Sequence, residues 1–366
     1  MGFDNKIGYK NIRKNTVKVR VGNKFIGGDA PITVQSMTNT DTRDIYKTVE
    51  QIKRLEDAGC DIVRVAVPNN EAALALKQIK KMTKIPVVAD IHFDYRLAIS
   101  SMENGAEKIR LNPGNIGGEE RIHQVVEVAK SMDIPIRIGV NSGSVEKDII
   151  SKYGGITPEG MVESALRHVE ILEKYQFHNI VISIKASNVP MTVEAYKLIS
   201  QKSHYPLHIG VTEAGTVFSG TIKSAVALGY LLTEGIGDTL RISLTGDPVE
   251  EVKVGKEILK ALEIEKEGIE IISCPTCGRC CINLIPIVND IEEKIKNSEK
   301  LKHIKKNIKI AVMGCAVNGP GEAKEADIGI AGGKGEALLF KKGKIIRKIP
   351  QEKIIDELVE EIEKLT

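Results

Sequence analysis

Short apolar, β-branched segments alternate with amphipathic segments between residue 31 and about residue 262. Runs of β-branched residues predict strands, and apolar residues that recur every three or four positions predict helices. Helical patterns follow the strands, for example at residues 44–59, 119–133 and 249–262. The strands are predicted at residues 31–37, 60–68, 85–93, 106–113, 134–141, 179–187, 205–213 and 238–246.

Eight consecutive strand–helix units are the number that closes a (β/α)₈ barrel, or TIM barrel, and about 230 residues are the usual size of one. The sequence therefore predicts an α/β fold with an N-terminal TIM barrel. An open, doubly wound sheet is the alternative, but it more often has fewer units and a G-x-G-x-x-G motif after its first strand. No such motif follows the first predicted strand here.

The pattern changes after about residue 265. A strand runs into the segment CPTCGRCC (274–281), and a helix, a strand, a Gly-Pro-Gly bend, a short strand, a strand pair and a final charged helix follow. This mixture predicts a smaller C-terminal α+β domain with its own core. We therefore divide the chain into residues 1–265 and residues 266–366.

The composition is that of an ordinary soluble globular protein, with 42% hydrophobic and 28% charged residues. A net charge of +3, the absence of tryptophan and an aromatic content of 4% argue against a nucleic-acid partner, which would need a one-sided basic surface. No apolar run approaches the ~20 residues of a membrane helix, and the polar N-terminal segment lacks the apolar core of a signal peptide. We predict a cytoplasmic protein without a membrane partner.

Positively charged residues recur on the same face of several predicted strands. Side chains in a strand alternate between two faces, and in residues 61–67 the valines share one face while Arg64 takes the other. The apolar face of a barrel strand packs against the helices, so the opposite face points into the lumen. Five cations are therefore predicted to line the lumen: Arg64, Arg110, Arg137, Lys185 and Arg241.

Five cations inside one barrel need negative charge, because an isolated ion in a dry core is costly. The internal candidates Asp61, Asp90 and Glu213 are too few. We therefore expect a phosphorylated or diphosphorylated ligand at the C-terminal mouth, where barrel enzymes place their chemistry and where arginine suits phosphate oxygens. The alternative is that the cations pair with barrel acids or reach the rim. Lys108 shares the parity of Arg110 but lies deeper, and its role stays open.

Five of the six cysteines lie in the last quarter of the chain. Cys274 and Cys277 form a C-x-x-C motif, which can hold one metal or cluster, and Cys315 follows 38 residues later beside a Gly-rich turn. A zinc ribbon would need a second C-x-x-C motif, so an iron–sulfur cluster is favoured over structural zinc. Cys280 and Cys281 are interpreted as small buried hydrophobic residues.

Several segments closely resemble the 4-hydroxy-3-methylbut-2-enyl diphosphate synthase family, in its bacterial two-domain type. The most specific are SCPTCGR (273–279), MGCAVNGPGEA (313–323) and ADIGIAGG (326–333), and other matches extend over nearly the whole chain. The resemblance implies an oxidoreductase of the methylerythritol phosphate route to isoprenoids, whose barrel binds 2-C-methyl-D-erythritol 2,4-cyclodiphosphate. It also implies a C-terminal domain, similar to part of sulfite reductase, that carries a [4Fe–4S] cluster.

The resemblance further implies roles for individual residues. The reaction would be a two-electron reductive ring opening with loss of water, which gives 4-hydroxy-3-methylbut-2-enyl diphosphate. Within this reaction we assign Glu213 as the proton donor to the leaving hydroxyl, with a salt bridge to one of the lumen cations as the alternative role. We assign Asn141 as a hydrogen-bonding partner of the diphosphate beside the five cations. The cluster ligands carried over from the family's motifs are Cys274, Cys277, Cys315 and Glu322.

The implied assembly is a head-to-tail homodimer, in which the cluster domain of one chain caps the barrel of the other. The electron donor would be ferredoxin or flavodoxin, and the lysine-rich segments 300–309 and 340–348 are either docking surfaces or simply solvated charge. Two other functions stay open. One is a cluster-free, phosphate-binding barrel lyase or transferase with a structural zinc domain, and the other is an iron–sulfur carrier or sensor fused to a scaffold barrel.

Overall fold

The structure, a computed structural model, describes residues 13–301, 304, 306–316 and 323–365. Its internal contacts divide the chain into two units, of which the first ends at Ile264 and the second begins at Glu265. The boundary proposed from the sequence lies one residue further along. Each unit has its own sheet and its own apolar core.

The first unit contains a parallel eight-stranded sheet that closes into a barrel. Neighbouring strands pair in chain order, the first strand of the barrel also pairs with the last, and Ile182 forms a parallel bridge to Leu207 across the remaining seam. The predicted TIM barrel is thus confirmed and the open-sheet alternative is wrong. The strands are β3 (Thr33–Met37), β4 (Ile62–Ala66), β5 (Val87–Asp90), β6 (Lys108–Leu111), β7 (Ile136–Asn141), β8 (Ile180–Lys185), β9 (His208–Ile209) and β10 (Thr239–Leu240).

Helices connect these strands and cover the outside of the barrel. Polar residues after the strands begin several of them: Asn69, Asn188 and Asp247 each accept a hydrogen bond from a first-turn N–H. These caps fix the loops at the C-terminal ends of the strands. The helices are α1 (Ile45–Asp57), α2 (Asn70–Met82), α3 (Tyr95–Glu103), α4 (Pro113–Ile116), α5 (Glu119–Ser131), α6 (Lys147–Tyr153), α7 (Pro158–Lys174), α8 (Val189–Lys202), α9 (Val217–Thr233) and α10 (Pro248–Ala261).

The main core lies between the barrel strands and these helices. Outward-facing strand residues such as Val63, Ile109 and Ile138 belong to it and are fully buried. Burial of such side chains contributes about 1.5–3 kcal/mol each, which fixes the register of the strands. The opposite parity therefore faces the lumen, as the alternation predicts.

A short antiparallel hairpin, β1 (Val19–Val21) and β2 (Lys24–Ile26), precedes the barrel and was not predicted. Its apolar side chains pack against the lower, inward-facing residues of three barrel strands. This plug closes the N-terminal end of the lumen, so the lumen opens at the C-terminal ends of the strands. The residues in this contact are Val19, Val21, Ile26, Ile62, Val88 and Val181.

The second unit contains a five-stranded mixed sheet in the order β11-β12-β13-β14-β15. The first three strands run parallel and the last two are antiparallel. The predicted α+β domain is confirmed. Its strands are β11 (Gly268–Ser273), β12 (Asn307–Met313), β13 (Ile328–Gly332), β14 (Glu336–Lys341) and β15 (Lys344–Pro350), and its helices are α11 (Leu284–Asn297) and α12 (Ile354–Glu363).

The two helices described in the second unit pack on one face of its sheet, where Ile310 and Val312 meet Ile291 and Leu358 in one cluster. The opposite face carries a smaller cluster that includes Met313. Among the helices of the described residues, none is long and apolar enough to span a bilayer.

Candidate active site

Asp90, at the end of β5, is surrounded by basic side chains at the mouth of the barrel. Its carboxylate lies 3.3 Å from Nη1 of Arg110, 3.9 Å from Nε of Arg64 and 3.4 Å from Nε2 of His92. Arg64 and Arg110 project inward from β4 and β6, the strands on either side of β5. A single carboxylate therefore serves two arginines.

Burial opposes ionisation of Asp90, but Arg64, His92 and Arg110 outweigh it and hold the pKa of this carboxyl well below its usual range. Burial, partly offset by Asp90, lowers the pKa of Arg64 to about 10. Both groups consequently remain charged near neutral pH. The negative charge of Asp90 is already balanced by these neighbouring basic side chains.

Arg241 lies just beyond β10, on the other side of the mouth. Its Nη2 is 3.4 Å from Oε1 of Glu251, a buried residue of α10. The Glu251 carboxylate also accepts hydrogen bonds from Ser36 Oγ (3.1 Å) and the Leu244 N–H (3.0 Å). The strand pattern did not reveal Glu251, because it reaches the mouth from a helix.

Lys185 and Arg137 complete the predicted set of lumen cations, and both are buried. Burial, reinforced by the charges of Arg137 and Arg241, lowers the pKa of Lys185 well below its usual value. Lys185 Nζ lies close to Gly210, where an added Cβ would approach it to 3.0 Å. The structure thus brings the five cations together in one lumen.

The internal acids proposed from the sequence are distributed differently. Asp90 faces the lumen, but Asp61 pairs with Lys24 at 2.9 Å and with Lys256 at 3.3 Å, so its charge does not reach the lumen cations. Its expected role as an internal counter-ion is wrong. The cause is position: Asp61 precedes β4 and meets partners from the hairpin and from α10.

Glu213 follows β9 at the mouth and is exposed. Its backbone has φ +52°, in the left-handed region that non-glycine residues adopt infrequently. Among the described residues, no ion pair is formed by its side chain. Asn141 ends β7 on the lumen parity and is half-buried, and its backbone N–H donates to Ser144 Oγ at 2.9 Å.

Positive charge exceeds negative charge in the described lumen. Six lysine and arginine side chains face two buried carboxylates, those of Asp90 and Glu251. Such a surface in a low-dielectric cleft attracts anions. The six basic residues are Arg64, Lys108, Arg110, Arg137, Lys185 and Arg241.

In the second unit, the cysteine motifs follow the ends of two adjacent parallel strands. Ser273, at the end of β11, pairs with Val312 of β12, so Cys274 and Cys315 continue from the same edge of the sheet. The Gly314 N–H donates to Cys274 Sγ at 3.2 Å. The two chain segments are therefore joined directly at the residue before Cys315.

The other described cysteines of the second unit lie in the loop after β11. Cys277 is exposed, and the backbone N–H and guanidinium of Arg279 lower the pKa of its thiol. Cys280 is half-buried, and its sulfur packs against Gly314, where an added Cβ would approach it to 2.5 Å. Cys281 is exposed, so the interpretation of it as a buried hydrophobic residue is wrong.

Glu322 lies outside the described residues, as do residues 317–321 of the preceding bend. Within the part of the chain that the structure describes, no three cysteine, histidine or acidic side chains converge closely enough to hold a metal ion. The sulfur donors Cys274, Cys277 and Cys315 are nevertheless those of soft-metal and iron–sulfur sites. The chemistry of the donors therefore suits an iron–sulfur cluster.

Solved structures share the barrel at low sequence identity. Type I 3-dehydroquinate dehydratase from Clostridium difficile matches with a TM-score of 0.50 and 15% identity, over 68% of this chain and 97% of that one. At this identity the similarity concerns the fold alone.

Family models match both units: the GcpE TIM-barrel domain covers residues 16–256, and the GcpE protein C-terminal domain covers residues 270–364. Curated relatives are named 4-hydroxy-3-methylbut-2-en-1-yl diphosphate synthase (flavodoxin). The protein from Ruminiclostridium cellulolyticum is 67% identical over 96% of this chain and 98% of its own length, and that from Clostridium tetani is 62% identical over 96% and 99%. With both units matched and near full-length relatives at this identity, the chain belongs to the GcpE family.

Proposed function

We propose that this chain catalyses the reductive ring opening and dehydration of 2-C-methyl-D-erythritol 2,4-cyclodiphosphate to 4-hydroxy-3-methylbut-2-enyl diphosphate, in isoprenoid biosynthesis. Counted on the fully protonated acids, the substrate takes up two electrons and two protons and releases one water. The bond between C2 and the diphosphate breaks, and the C3 hydroxyl leaves. Near full-length relatives that carry the name of this synthase support the proposal.

The observation that carries the proposal is the excess of positive charge at the barrel mouth. Asp90 is shared between Arg64 and Arg110, and Glu251 is held by Arg241 and by two further donors. A cyclic diphosphate would supply the missing negative charge. Charge-assisted hydrogen bonds from arginine to phosphate oxygens are among the stronger ones in proteins.

The residues at the barrel mouth would have different binding roles according to their positions. Arg64, Arg110 and Arg241 would bind phosphate oxygens, together with Lys185, and Asn141 would add a hydrogen bond. As the ring opens, charge accumulates on the departing diphosphate. Cations already fixed by burial stabilise that charge without having to reorganise. Arg137, the most deeply buried of the five, would act from below.

Glu213 is our candidate for the proton donor to the leaving C3 hydroxyl. It is exposed on the mouth loop after β9, and among the described residues its carboxyl forms no ion pair with a lysine or an arginine. Its left-handed backbone fits a position that is fixed for function rather than for packing. General acid catalysis of this kind contributes about 10²–10⁴-fold to a rate.

Cys274, Cys277, Cys315 and Glu322 would hold a [4Fe–4S] cluster. Such a cluster would supply single electrons to the reaction, and the Glu322 carboxylate would be its one oxygen ligand beside three thiolates. The chain's own contribution is geometric: adjacent parallel strands deliver Cys274 and Cys315 to one edge, and the Gly314 N–H stabilises the Cys274 sulfur.

A homodimer is part of the proposal. The exposed side of α9 carries apolar residues four positions apart, beginning at Phe218, which is 79% exposed, and continuing with Ile222, Val226 and Tyr230. Such a stripe on a barrel helix suits contact with another protein surface. We propose the head-to-tail arrangement, in which the cluster domain of one chain serves the barrel of the other.

Flavodoxin, which the relatives' names mention, is the proposed electron donor, with ferredoxin as the alternative. The turn between β14 and β15 presents Lys341, Lys342 and Lys344, and exposed Ile345 lies beside them. Lys348, by contrast, is paired with Glu336 at 2.6 Å. An acidic partner protein would form ion pairs with the lysines of this turn and would contact its apolar side chain. The other candidate segment, 300–309, lies partly outside the described residues.

The test is an anaerobic assay of iron-reconstituted protein with reduced flavodoxin and the cyclic diphosphate. We expect the linear diphosphate to form with two electrons consumed per molecule, and we expect no product from cluster-free protein. Product formation by colourless, metal-free or zinc-loaded protein would overturn the proposal in favour of a cluster-free lyase or transferase.

Mixed dimers test the arrangement. One chain carries Cys315→Ser and the other Arg110→Met, so each homodimer lacks one half of every site. In the head-to-tail arrangement the mixed dimer regains one complete site and about half of the activity per dimer. If mixing never restores activity, cluster and barrel act within one chain.

A further inference from the structure

Three basic side chains lie in the barrel interior below the mouth: Lys108 on β6, Arg137 on β7 and His208 on β9. Their exposed fractions are 0%, 1% and 0%. Lys108 Nζ donates a hydrogen bond to Gln35 Oε1 at 3.2 Å, which ties β6 to β3 across the lumen. The hairpin plug closes the lumen beneath them.

Several polar atoms in this layer have no hydrogen-bond partner among the described residues. They belong to side chains that are almost completely buried, where more than nine in ten polar groups are normally satisfied. A buried polar group without a partner destabilises the folded state. The atoms are Nε and Nη1 of Arg137, Nδ1 and Nε2 of His208, Nε2 of Gln35 and Oγ1 of Thr33.

Half of these six atoms can only donate. The two Arg137 nitrogens and the Gln35 amide nitrogen are donors, a neutral His208 ring adds one donor and one acceptor, and Thr33 can do either. A single water would bring two hydrogens of its own into a layer that offers few acceptors. A halide or similar ion accepts several hydrogen bonds and donates none, so it matches the layer better.

The charges lead to the same conclusion. Burial, with the positive charge of Arg137 next, lowers the pKa of Lys108 and of His208 well below their usual values. Asp90 acts on Arg137, but its carboxylate is already engaged by Arg64 and Arg110 at the mouth. The layer therefore lacks a counter-ion of its own.

We propose that a small monoanion of the size of chloride binds in the lumen between Lys108, Arg137 and His208. This site lies below the diphosphate site and does not depend on the proposed reaction. Its occupant would satisfy donors that the protein leaves unpaired and would offset the buried positive charge of Arg137. Arg137 would connect the deep site with the mouth.

The direct test uses bromide, which an anomalous difference map distinguishes from water. Crystals of the full-length protein are grown in sodium bromide, with and without the cyclic diphosphate. We expect a bromide peak bordered by Lys108 Nζ, the Arg137 guanidinium and the His208 ring in both crystals. Water alone at this position, bromide on the surface only, or displacement of bromide by the diphosphate would overturn the proposal.

A solution test uses melting temperatures in sodium chloride and in sodium gluconate at equal ionic strength. Wild type should melt a few degrees higher in chloride, because an ion that binds only the folded state stabilises it. Lys108→Met should lose this difference, whereas Lys77→Met, which changes an exposed lysine of α2, should keep it. Equal melting temperatures of wild type in the two salts would contradict the proposal, and the bromide map decides should Lys108→Met not fold.

Discussion

The Asp90 carboxylate lies 3.3 Å from the Arg110 guanidinium, and both side chains are almost fully enclosed at the barrel mouth. The same carboxylate is 3.9 Å from Arg64. The single negative charge of Asp90 thus balances only part of the positive charge of the two arginines. The barrel mouth keeps a net positive charge, which favours an anionic ligand.

Asp90→Asn should lower the free energy of unfolding at pH 7 by about 3 kcal/mol, because two buried arginines lose their counter-ion. The folded-state pKa of Asp90 is depressed, so its stabilisation is present above the unfolded pKa of about 3.9 and is lost as the pH falls further. Denaturant unfolding of both proteins between pH 7 and pH 3 should show the difference shrinking toward the acidic end. Asp29→Asn, at an exposed pair with Lys18, is the control and should change little. A difference independent of pH would contradict the assignment.

Gly139→Ala should weaken diphosphate binding without unfolding the barrel. An added Cβ would lie 2.8 Å from Arg110 Nε, at the end of a flexible side chain, so the arginine must move while the backbone stays. Loss of a charged hydrogen bond of about 1.5–3 kcal/mol corresponds to about 10- to 100-fold in affinity, measured by calorimetry with inorganic diphosphate. Gly229→Ala, with open space around its Cβ position in α9, should bind as wild type does. Unchanged affinity of Gly139→Ala would remove Arg110 from the site.

Glu213→Gln should reduce turnover by about 10²-fold or more while iron content and substrate affinity stay unchanged, because the amide cannot donate a proton as an acid does. Steady-state kinetics with reduced flavodoxin measures this effect. Glu194→Gln, at an exposed position of α8, is the matched control. Full activity of Glu213→Gln would assign the proton to another group.

Cys315→Ser should abolish cluster binding, whereas the double variant Cys280→Ser, Cys281→Ser should retain it. The proposed ligand set includes neither Cys280, whose sulfur packs against Gly314, nor the exposed Cys281. Iron and sulfide analysis after anaerobic reconstitution, together with the visible spectrum, distinguishes the two outcomes. Loss of iron from the double variant would show that the ligand set is wrong.

Strand periodicity was sufficient to locate the barrel and its lumen cations. Because side chains alternate strictly, the apolar residues flanking Arg64 and Arg137 determined which way each arginine points. The same rule gave Lys108 the parity of Arg110 but left its role open, because its partner Gln35 comes from a distant strand and could not be predicted from local sequence.

Ion-pair partners that lie outside the barrel strands were not predicted from the sequence. Glu251 reaches Arg241 from α10, and Asp61 is taken up by Lys24 and Lys256 far along the chain, so no local pattern reveals either contact. His208 lies in a strand of only two residues, so the alternation of side chains there was too short to predict that His208 is buried. Long-range pairing of this kind depends on closure of the barrel, which composition and periodicity do not specify.

The central claim is that the cations of the barrel mouth bind the cyclic diphosphate, and calorimetric titration of the full-length protein tests it most directly. Wild type should bind the cyclic diphosphate with an affinity that falls as salt is added, and the Arg110→Met, Lys185→Met double variant should bind it about 100-fold more weakly or worse. Equal affinity of the two proteins, or binding that salt leaves unchanged, would contradict the account.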